Sequence, residues 1–254
     1  MTITPKKYFG QHFLIKENLS KKIISYLDLD SCCNIIEIGP GSGALTKFLI
    51  QKSNNVKLIE IDQEAVEILK KKFPKTEIIH IDFLKFDLKK MGWEKYSIIG
   101  NFPYNISTQI LFKILENRNN ITEVIGMFQT EVANRICSKP KSKTYGIPSV
   151  LIQAFFNCEQ LFDVTADNFH PKPKVNSTVI KLTRNNTIDL ECEYGDFKKI
   201  IKSAFSQRRK KIKNALKNFT NLDHVDVNFL SKRAEELSVD DFINLTKMIF
   251  CNSK

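Results

Sequence analysis

The chain has 254 residues, of which 42% are hydrophobic and 26% charged. These values exclude a disordered or fibrous protein and allow one large folded domain, alone or with a small appendage. Its 39 lysine and arginine residues outnumber 28 aspartate and glutamate residues, giving a net charge of +11. This surplus favours a polyanionic partner, most simply a nucleic acid and secondly an anionic membrane surface.

The cysteines and histidines show no metal-binding pattern. The six cysteines contain no C-x-x-C pair and the four histidines are scattered, so we expect no metal. Unpatterned cysteines are typical of a reducing cytosol. The N-terminus lacks the apolar stretch of a signal peptide, and no apolar run has the length of a membrane span. We therefore expect a cytoplasmic protein with no membrane partner.

The first ligand-binding signal is a glycine-rich turn. An apolar run at 34–39 precedes Pro40, Gly41, Ser42 and Gly43, and a helical pattern follows at 44–51. A strand, glycine turn and helix let backbone N–H groups approach a ligand. The spacing G-x-G-x-G departs from the dinucleotide pattern, and Glu37 ahead of it would repel a pyrophosphate but could bind an ammonium. This favours a nucleoside that carries an amino acid.

The next two predicted strands also end in acids. The run 56–62 ends in acids, and one of them, Glu60, lies 21 residues after Gly39, where an acid takes ribose hydroxyls. The run 77–83 ends in Asp82 and Phe83, which could accept an adenine amine and cover the base. Each acid alone could be a solvated charge at a strand end. Three such units in succession indicate a nucleoside site.

A fourth strand, at 96–100, is followed by Asn101, Phe102, Pro103 and Tyr104. The amide oxygen of Asn101 and the peptide oxygen of Pro103 can accept the two protons of an exocyclic amine, and the ring of Tyr104 can stack on its base. Proline fixes its own φ and biases the preceding residue to an extended shape, so these groups are aimed in advance. The same tetrapeptide also occurs as an ordinary turn.

The order of elements predicts a doubly wound α/β fold with its site at the carboxyl ends of parallel strands. A helix at 110–115, a strand at 122–129 and a helix at 131–137 follow the fourth strand. The runs 150–156 and 158–164 could each be helix or strand. A strand at 175–182 would close one sheet edge as part of an antiparallel pair.

Two later segments carry possible substrate contacts. Phe169 lies in a stiff loop with two prolines and is either packed or partly exposed for stacking. From about residue 185 the pattern becomes helical, so we predict domains at 1–184 and 185–254. Residues 196–219 carry one apolar stripe and no acid from 197 to 217, which favours phosphate contact. The cations there are Lys198, Lys199, Lys202, Arg208, Arg209, Lys210, Lys211, Lys213 and Lys217.

Five segments together resemble the ribosomal RNA small-subunit adenine N6,N6-dimethyltransferase family. They are GQHFL (10–14), EIGPGSGALT (37–46), NFPYNIS (101–107), FQTEVANRI (128–136) and FHPKPKV (169–175). Ser42 and Phe102 depart from the residues that the family often has there. The resemblance implies a Rossmann-like class I methyltransferase with a mostly parallel seven-stranded sheet and a small helical C-terminal domain that binds RNA.

The resemblance also implies a cofactor, S-adenosyl-L-methionine, and its contacts. His12 and Leu14 would border the methionine part, Glu60 would hold the ribose, and Asp82 the adenine amine. Asn101 would lie beside the transferred methyl group, and the substrate adenine would lie between Tyr104 and Phe169. The further implied cofactor contacts are Glu37, Gly39, Gly41, Ile61 and Phe83. From the acid-free charge run, we expect further substrate contacts at Arg208, Arg209, Lys210 and Lys211.

The implied reaction is dimethylation of N6 on two adjacent adenosines in a hairpin loop near the 3′ end of 16S rRNA, by a monomer acting on the small ribosomal subunit. Three alternatives remain at this point. One is the macrolide-resistance type of enzyme that methylates large-subunit rRNA. Another is a DNA adenine methyltransferase, although Phe102 replaces the proline usual there. The third is a mainly non-catalytic ribosome-assembly factor on the same fold.

Overall fold

A computed structural model describes residues 3–30, 32–185, 190, 192–219 and 222–250. The strands are β1 (Phe13–Leu14), β2 (Ile35–Ile38), β3 (Val56–Glu60), β4 (Glu77–His80), β5 (Tyr96–Asn101), β6 (Ile121–Gln129), β7 (Phe156–Val164), β8 (Phe169–His170) and β9 (Ser177–Arg184). The α-helices are α1 (Glu17–Ile24), α2 (Thr46–Leu49), α3 (Gln63–Lys72), α4 (Ser107–Glu116), α5 (Thr130–Ile136), α6 (Ile147–Gln153), α7 (Tyr194–Ser206), α8 (Ile212–Ala215), α9 (Val227–Leu230) and α10 (Val239–Phe250).

Seven strands form one sheet in the order β4-β3-β2-β5-β6-β9-β7. The pairs from β4 to β6 are all parallel, and β9 runs antiparallel to β6. Every residue of β2 is buried, as expected for a strand covered on both faces. The predicted α/β fold with a mostly parallel seven-stranded sheet is confirmed.

The parallel strands bring the predicted site residues to one edge of the sheet. Ile38 pairs with Ile59 across β2 and β3, and β5 continues beside β2 to end at Asn101. Chain segments that leave these strands therefore start from neighbouring points. Crossovers between the strands place all their carboxyl ends at this same edge.

The runs that the sequence left open between helix and strand adopt one of each. Residues 147–153 form α6, and residues 156–164 form β7, which lies beside β9. A separate two-stranded antiparallel sheet pairs β1 with β8, with Leu14 opposite Phe169. The N-terminal segment is thereby joined to a loop more than 150 residues further along the chain.

The described chain divides into two compact units with bounds that differ from the predicted domains. One unit is Met1–Ala133 with Asn157–Arg184, and the other is Asn134–Phe156 with Asn185–Lys254. The predicted boundary after residue 184 recurs, but residues 134–156 belong to the second unit and not to the first. The reason is packing inside the second unit, where the buried ring of Tyr145 meets Phe205 edge-on with centroids 6.0 Å apart.

The predicted amphipathic helix over 196–219 is broken in the structure. α7 ends at Ser206 and α8 begins at Ile212, so the most basic stretch forms a turn between two helices. Backbone contacts with a distant segment redirect the chain there, since Ile212 N donates to Lys232 O at 2.8 Å and Lys211 forms a β-bridge with Arg233. Ile212 is nonetheless buried, so this part of the apolar stripe faces the interior as expected.

In the part of the chain that the structure describes, no helix has both the length and the apolar character needed to cross a membrane.

Candidate active site

A cavity of about 190 Å³ opens at the carboxyl edge of the sheet. Its walls come from the turn after β2, the ends of β3, β4 and β5, and the N-terminal segment. The lining residues are Tyr8, Phe9, Gly10, Gln11, His12, Phe13, Ile38, Gly39, Gly41, Ile59, Glu60, Ile61, Ile81, Asp82, Phe83, Leu84, Asn101, Phe102, Pro103, Tyr104, Asn105, Ile106 and Ile110. Most of the predicted cofactor and catalytic residues are therefore brought together.

Glu60 organises two of the cavity's loops through backbone hydrogen bonds. One carboxylate oxygen accepts from Gly41 N at 2.9 Å, and the other accepts from Ile61 N and Asp62 N at 2.8 and 2.9 Å. A carboxylate has about four lone-pair sites, so these bonds leave about one for a ligand hydroxyl. Burial raises the pKa of Glu60, while the three N–H donors oppose that shift by favouring its ionised form.

Gly41 must be a glycine for two reasons. Its φ is +54°, a left-handed value that side chains disfavour, and an added Cβ would lie 2.6 Å from the Phe13 ring. The absence of a side chain at this position therefore allows the turn to place its N–H groups close to Glu60 and the cavity.

Glu37 lies behind the glycine turn, on a small recess of about 20 Å³. Leu14, Gly39 and Asn101 line the same recess. The carboxyl accepts from the Thr46 hydroxyl at 2.7 Å and is 1% exposed. Burial raises its pKa from 4.5 to about 8, and the nearby Glu60 adds to the rise. Leu14 thus borders this recess and does not line the larger cavity.

The raised pKa of Glu37 predicts a pH-dependent loss of stability. Because the folded pKa lies above the unfolded value, the stabilisation is complete below about pH 4.5 and decreases as the pH rises to about 8. Glu37→Gln carries a neutral side chain at every pH in this range. We therefore expect the difference in melting temperature, wild type minus variant, to fall by about 5 °C or more from the acidic to the alkaline end of the range.

Thermal unfolding of ligand-free protein across this pH range measures the effect. The matched control is Glu159→Gln, which makes the same change at an exposed position. Parallel curves for the wild type and Glu37→Gln would contradict the assigned pKa.

Asp82 and Phe83 line another wall of the cavity. Asp82 Oδ1 accepts from Leu84 N at 2.9 Å, which fixes the turn after β4, and within the described residues Oδ2 has no hydrogen-bond partner. The ring of Phe83 is buried against the cavity, and Lys113 Nζ lies 5.5 Å from its centroid. Burial lowers the pKa of Lys113, whose ammonium donates to Leu84 O at 2.8 Å. An acceptor and an apolar ring therefore lie side by side.

Asn101 is oriented by a hydrogen bond to the N-terminal segment. Its Nδ2 donates to His12 O at 2.7 Å. Since a carbonyl can only accept, the amide nitrogen must face His12, and Oδ1 is left as an acceptor on a residue that lines both the cavity and the recess. The His12 ring is fixed in turn, because its Nδ1 lies 2.7 Å from Pro171 O and must carry the proton there.

The rest of the tetrapeptide is held by packing and hydrogen bonds. Phe102 is buried and meets the Phe128 ring edge-on, with centroids 5.1 Å apart. Pro103 O accepts from Ile106 N at 3.2 Å, which leaves its second lone pair available. The Tyr104 hydroxyl is 2.6 Å from Ser177 Oγ, and one ring face stacks on His12 with centroids 5.3 Å apart. Burial raises the pKa of Tyr104, so its hydroxyl stays neutral.

Phe169 does not have the partial exposure that the sequence allowed. It is 3% exposed, belongs to the apolar core with Leu14 and Val164, and lies outside the cavity lining. Pairing of β8 with β1 draws its ring inward. The ring is packed in this structure, and the sandwich of a base between Tyr104 and Phe169 stays a prediction.

The predicted substrate cations lie in the second compact unit. Arg208 is not an uncompensated charge, because Glu235 accepts from its Nε at 2.5 Å and Ser142 O accepts from Nη2 at 3.2 Å. Glu235 is distant in sequence, so the acid-free stretch around Arg208 did not reveal it. Arg209 and Lys210 line a shallow depression beside Arg208.

A family model described as ribosomal RNA adenine dimethylase matches residues 3–250. The chain belongs to the ribosomal RNA adenine dimethylase family. The resemblance carried by the five sequence segments is thus confirmed.

Curated relatives of the same family cover nearly the whole chain. A protein of Cytophaga hutchinsonii named ribosomal RNA small subunit methyltransferase A is 49% identical over 253 residues, covering 97% of this chain and 98% of its own. A protein of the same name from Porphyromonas gingivalis is 45% identical over 255 residues, covering 98% and 99%.

Solved structures with the same fold are more distant in sequence. A dimethyladenosine transferase from Plasmodium falciparum has a TM-score of 0.80 at 23% identity, covering 92% of this chain and 96% of that chain. The 23S rRNA methyltransferase ErmE has a TM-score of 0.71 at 22% identity, covering 93% and 99%. At these identities the likeness supports the fold alone.

Several residues that shape the site of this adenine dimethylase family member gave no sequence signal. They are the groups that hold the predicted residues in place: the His12 carbonyl on Asn101, Thr46 on Glu37 and Ser177 on Tyr104. The first and last of these pairs are separated by 89 and 73 residues. Only the Thr46 contact, within the glycine turn and its helix, was local enough to be found.

No group of three or more histidine, cysteine, aspartate or glutamate side chains is placed to hold a metal ion among the residues that the structure describes.

Proposed function

We propose that this chain transfers methyl groups from S-adenosyl-L-methionine to N6 of two adjacent adenosines in a hairpin loop near the 3′ end of 16S rRNA, giving N6,N6-dimethyladenosine in the small ribosomal subunit. The observation that carries the proposal is Asn101, which lines the cavity and whose Oδ1 is left as an acceptor by the Nδ2 bond to His12 O. Family membership and the names of the full-length relatives support it. We further propose that it acts as a monomer in the cytoplasm.

The residues around the cavity fit S-adenosyl-L-methionine. Glu60 would hold the ribose hydroxyls with its remaining lone pair, Asp82 would accept the adenine amine, and Phe83 would cover that base. Glu37, at the recess beside the cavity, would hold the ammonium of the methionine part. The remaining proposed contacts are His12, Leu14, Gly39, Gly41, Ile61 and Asn101.

The bound cofactor would supply a methyl group that is already activated on a sulfonium, so positioning is most of what the protein provides. Asn101 Oδ1 and Pro103 O would accept the two N6 protons, which favours a pyramidal nitrogen with its lone pair aimed at the methyl group. The nitrogen would take the methyl group from the sulfonium, and the methylated ammonium would then lose one proton to water. The N6 proton that remains permits a second round.

The target adenine must leave its stack to reach the cavity, at a cost of a few kcal/mol. Tyr104, whose ring lines the cavity and stacks on His12, would offset part of this cost by stacking on the base. Stacking of a base on an aromatic ring contributes ~1–3 kcal/mol. Arg209, Lys210 and Lys211 would contact phosphates, together with Arg208 where its pairing with Glu235 permits.

The large-subunit alternative is less well supported. The fold likeness to ErmE does not favour it, because the likeness to the Plasmodium transferase is at least as strong and both rest on low identity. The full-length relatives at 44–49% identity are named for the small subunit. A non-catalytic assembly role would require no acceptor at Asn101. The Asn101 amide is nevertheless oriented by its hydrogen bond to His12 O, and the His12 ring is fixed in turn by its hydrogen bond to Pro171 O.

Transfer of labelled methyl from S-adenosyl-L-methionine to undermethylated small subunits tests the proposal, with large subunits and duplex DNA as controls. We expect label in small-subunit RNA alone, recovered as N6,N6-dimethyladenosine. Label in large-subunit RNA would move the protein to the resistance type. Absence of label from protein that binds the cofactor would favour the assembly role.

A further inference from the structure

Tyr8 combines two properties that rarely coincide in a buried site. It lines the cavity, and yet it is 70% exposed. Of the other rings in that lining, Phe83 and Phe102 are buried, and Phe9, Phe13 and Tyr104 are partly covered. Within the described residues, Tyr8 is thus the lining ring that offers most of its surface at the cavity mouth.

The exposure of Tyr8 is not that of a loose terminus, because its backbone is fixed. Tyr8 lies in a 3₁₀ turn in which Phe9 N donates to Lys6 O at 3.1 Å and Gly10 N to Lys7 O at 3.0 Å. Its own carbonyl accepts from Asn105 Nδ2 at 3.4 Å. The Phe9 ring supports it from one side, with centroids 4.3 Å apart and the planes tilted by 55°.

The turn is also tied to the sheet edge. The buried carboxylate of Asp62 accepts from Lys6 Nζ and, at 2.9 Å, from Gln11 Nε2, so both flanks of the turn are bound to one side chain. Burial would raise the pKa of Asp62, but these bonds hold it below its usual range and keep the anion in place. Tyr8 is therefore a rigidly presented exposed ring.

A rigid exposed ring beside a cation is the pattern by which proteins hold single-stranded nucleic acid. The exposed Lys7 precedes Tyr8 in the same turn. We propose that Tyr8 is a stacking platform for the nucleobase next to the target adenosine, outside the cavity, with Lys7 beside the adjoining phosphate. This inference rests on the proposed function, because it requires that the target base enters the cavity from a single-stranded loop.

The platform has a defined place in the reaction. While one adenine lies in the cavity, its neighbour on the strand must lie at the mouth, where the Tyr8 ring is open to a base. Stacking there fixes the register of the strand and increases the affinity for RNA, whereas it adds no contact to the cofactor. Loss of the ring should therefore change RNA binding separately from cofactor binding.

Three variants test the platform with undermethylated small subunits as substrate: Tyr8→Ala, Tyr8→Phe and, as a control, Val175→Ala, which truncates an exposed apolar side chain outside the cavity lining. We expect Tyr8→Ala to raise the KM and the Kd for small subunits about tenfold, with kcat within about twofold of the wild type. Tyr8→Phe should behave as the wild type because it keeps the ring. The Kd for S-adenosyl-L-methionine should be the same in all.

Each other outcome overturns the platform in a distinguishable way. Tyr8→Ala with a wild-type Kd for small subunits would show that no base stacks on this ring. A matching loss of cofactor affinity would make Tyr8 a wall of the cofactor site instead. A Tyr8→Phe defect equal to that of Tyr8→Ala would assign the effect to the hydroxyl. Wild-type protein that neither binds nor methylates small subunits would overturn the proposed function, and the platform with it.

Discussion

Replacing Asn101 with alanine is expected to lower the rate of methyl transfer by about 100-fold to 1,000-fold. The change removes the acceptor Oδ1 that would take one N6 proton and aim the nitrogen lone pair. The His12 carbonyl would lose its partner, but the Glu60 and Asp82 contacts proposed for the cofactor would remain. We therefore expect the Kd for S-adenosyl-L-methionine to change by less than about fivefold.

Single-turnover transfer of labelled methyl and cofactor titration measure the two effects separately. Asn157→Ala is a suitable control, because Asn157 is exposed on β7 and lies outside the cavity lining. A near-normal rate for Asn101→Ala would remove Asn101 from the reaction. Loss of cofactor binding in the same variant would mean that the contact of Asn101 with the cofactor, and not the aiming of the amine, is its main role.

Replacing Glu60 with glutamine is expected to weaken the binding of S-adenosyl-L-methionine about 10-fold to 100-fold. The side chain keeps its shape, but its NH₂ group must face either Gly41 N or the pair Ile61 N and Asp62 N. The backbone N–H groups that face the NH₂ group would then lose their acceptor, because both are hydrogen-bond donors. A buried N–H group left without an acceptor costs about 1–3 kcal/mol. Both loops that border the cavity should therefore loosen, and the melting temperature should fall.

Calorimetric titration of the cofactor and thermal unfolding of ligand-free protein measure this prediction. Glu159→Gln, an exposed change of the same chemistry, should alter neither quantity. A lowered melting temperature with unchanged affinity would mean that Glu60 stabilises the loops without contacting the cofactor.

The strands and their ends could be predicted from the sequence because their signals are local. Buried apolar runs at β2, β3 and β5, each followed by a turn or an acid, are short-range patterns. Their order along the chain leads to a parallel sheet, and the carboxyl ends of parallel strands meet at one edge. The sequence therefore predicts that Glu60, Asp82 and Asn101 lie together.

The exposure of single rings could not be predicted in this way. Phe169 and Tyr8 are both aromatic residues in loop-like segments with nearby lysines, yet one is buried and the other is the most open ring of the cavity. The difference arises from long-range pairing. β8 joins β1 and turns Phe169 inward, whereas the bonds from Lys6 and Gln11 to Asp62 hold Tyr8 at the mouth.

The division into units and the shape of the basic segment also depended on distant contacts. From the sequence, residues 134–156 continue the first domain, but the packing of Tyr145 against Phe205 places them in the second unit. The apolar stripe over 196–219 predicts one helix, but the contacts of this segment with Lys232 and Glu235 accompany a turn between two helices. The sequence by itself determined which residues form the strands and which polar groups end them, because periodicity and turn chemistry act over a few residues. Tertiary structure alone decided the direction of the Asn101 amide and the exposure of each ring, because those depend on partners tens of residues away.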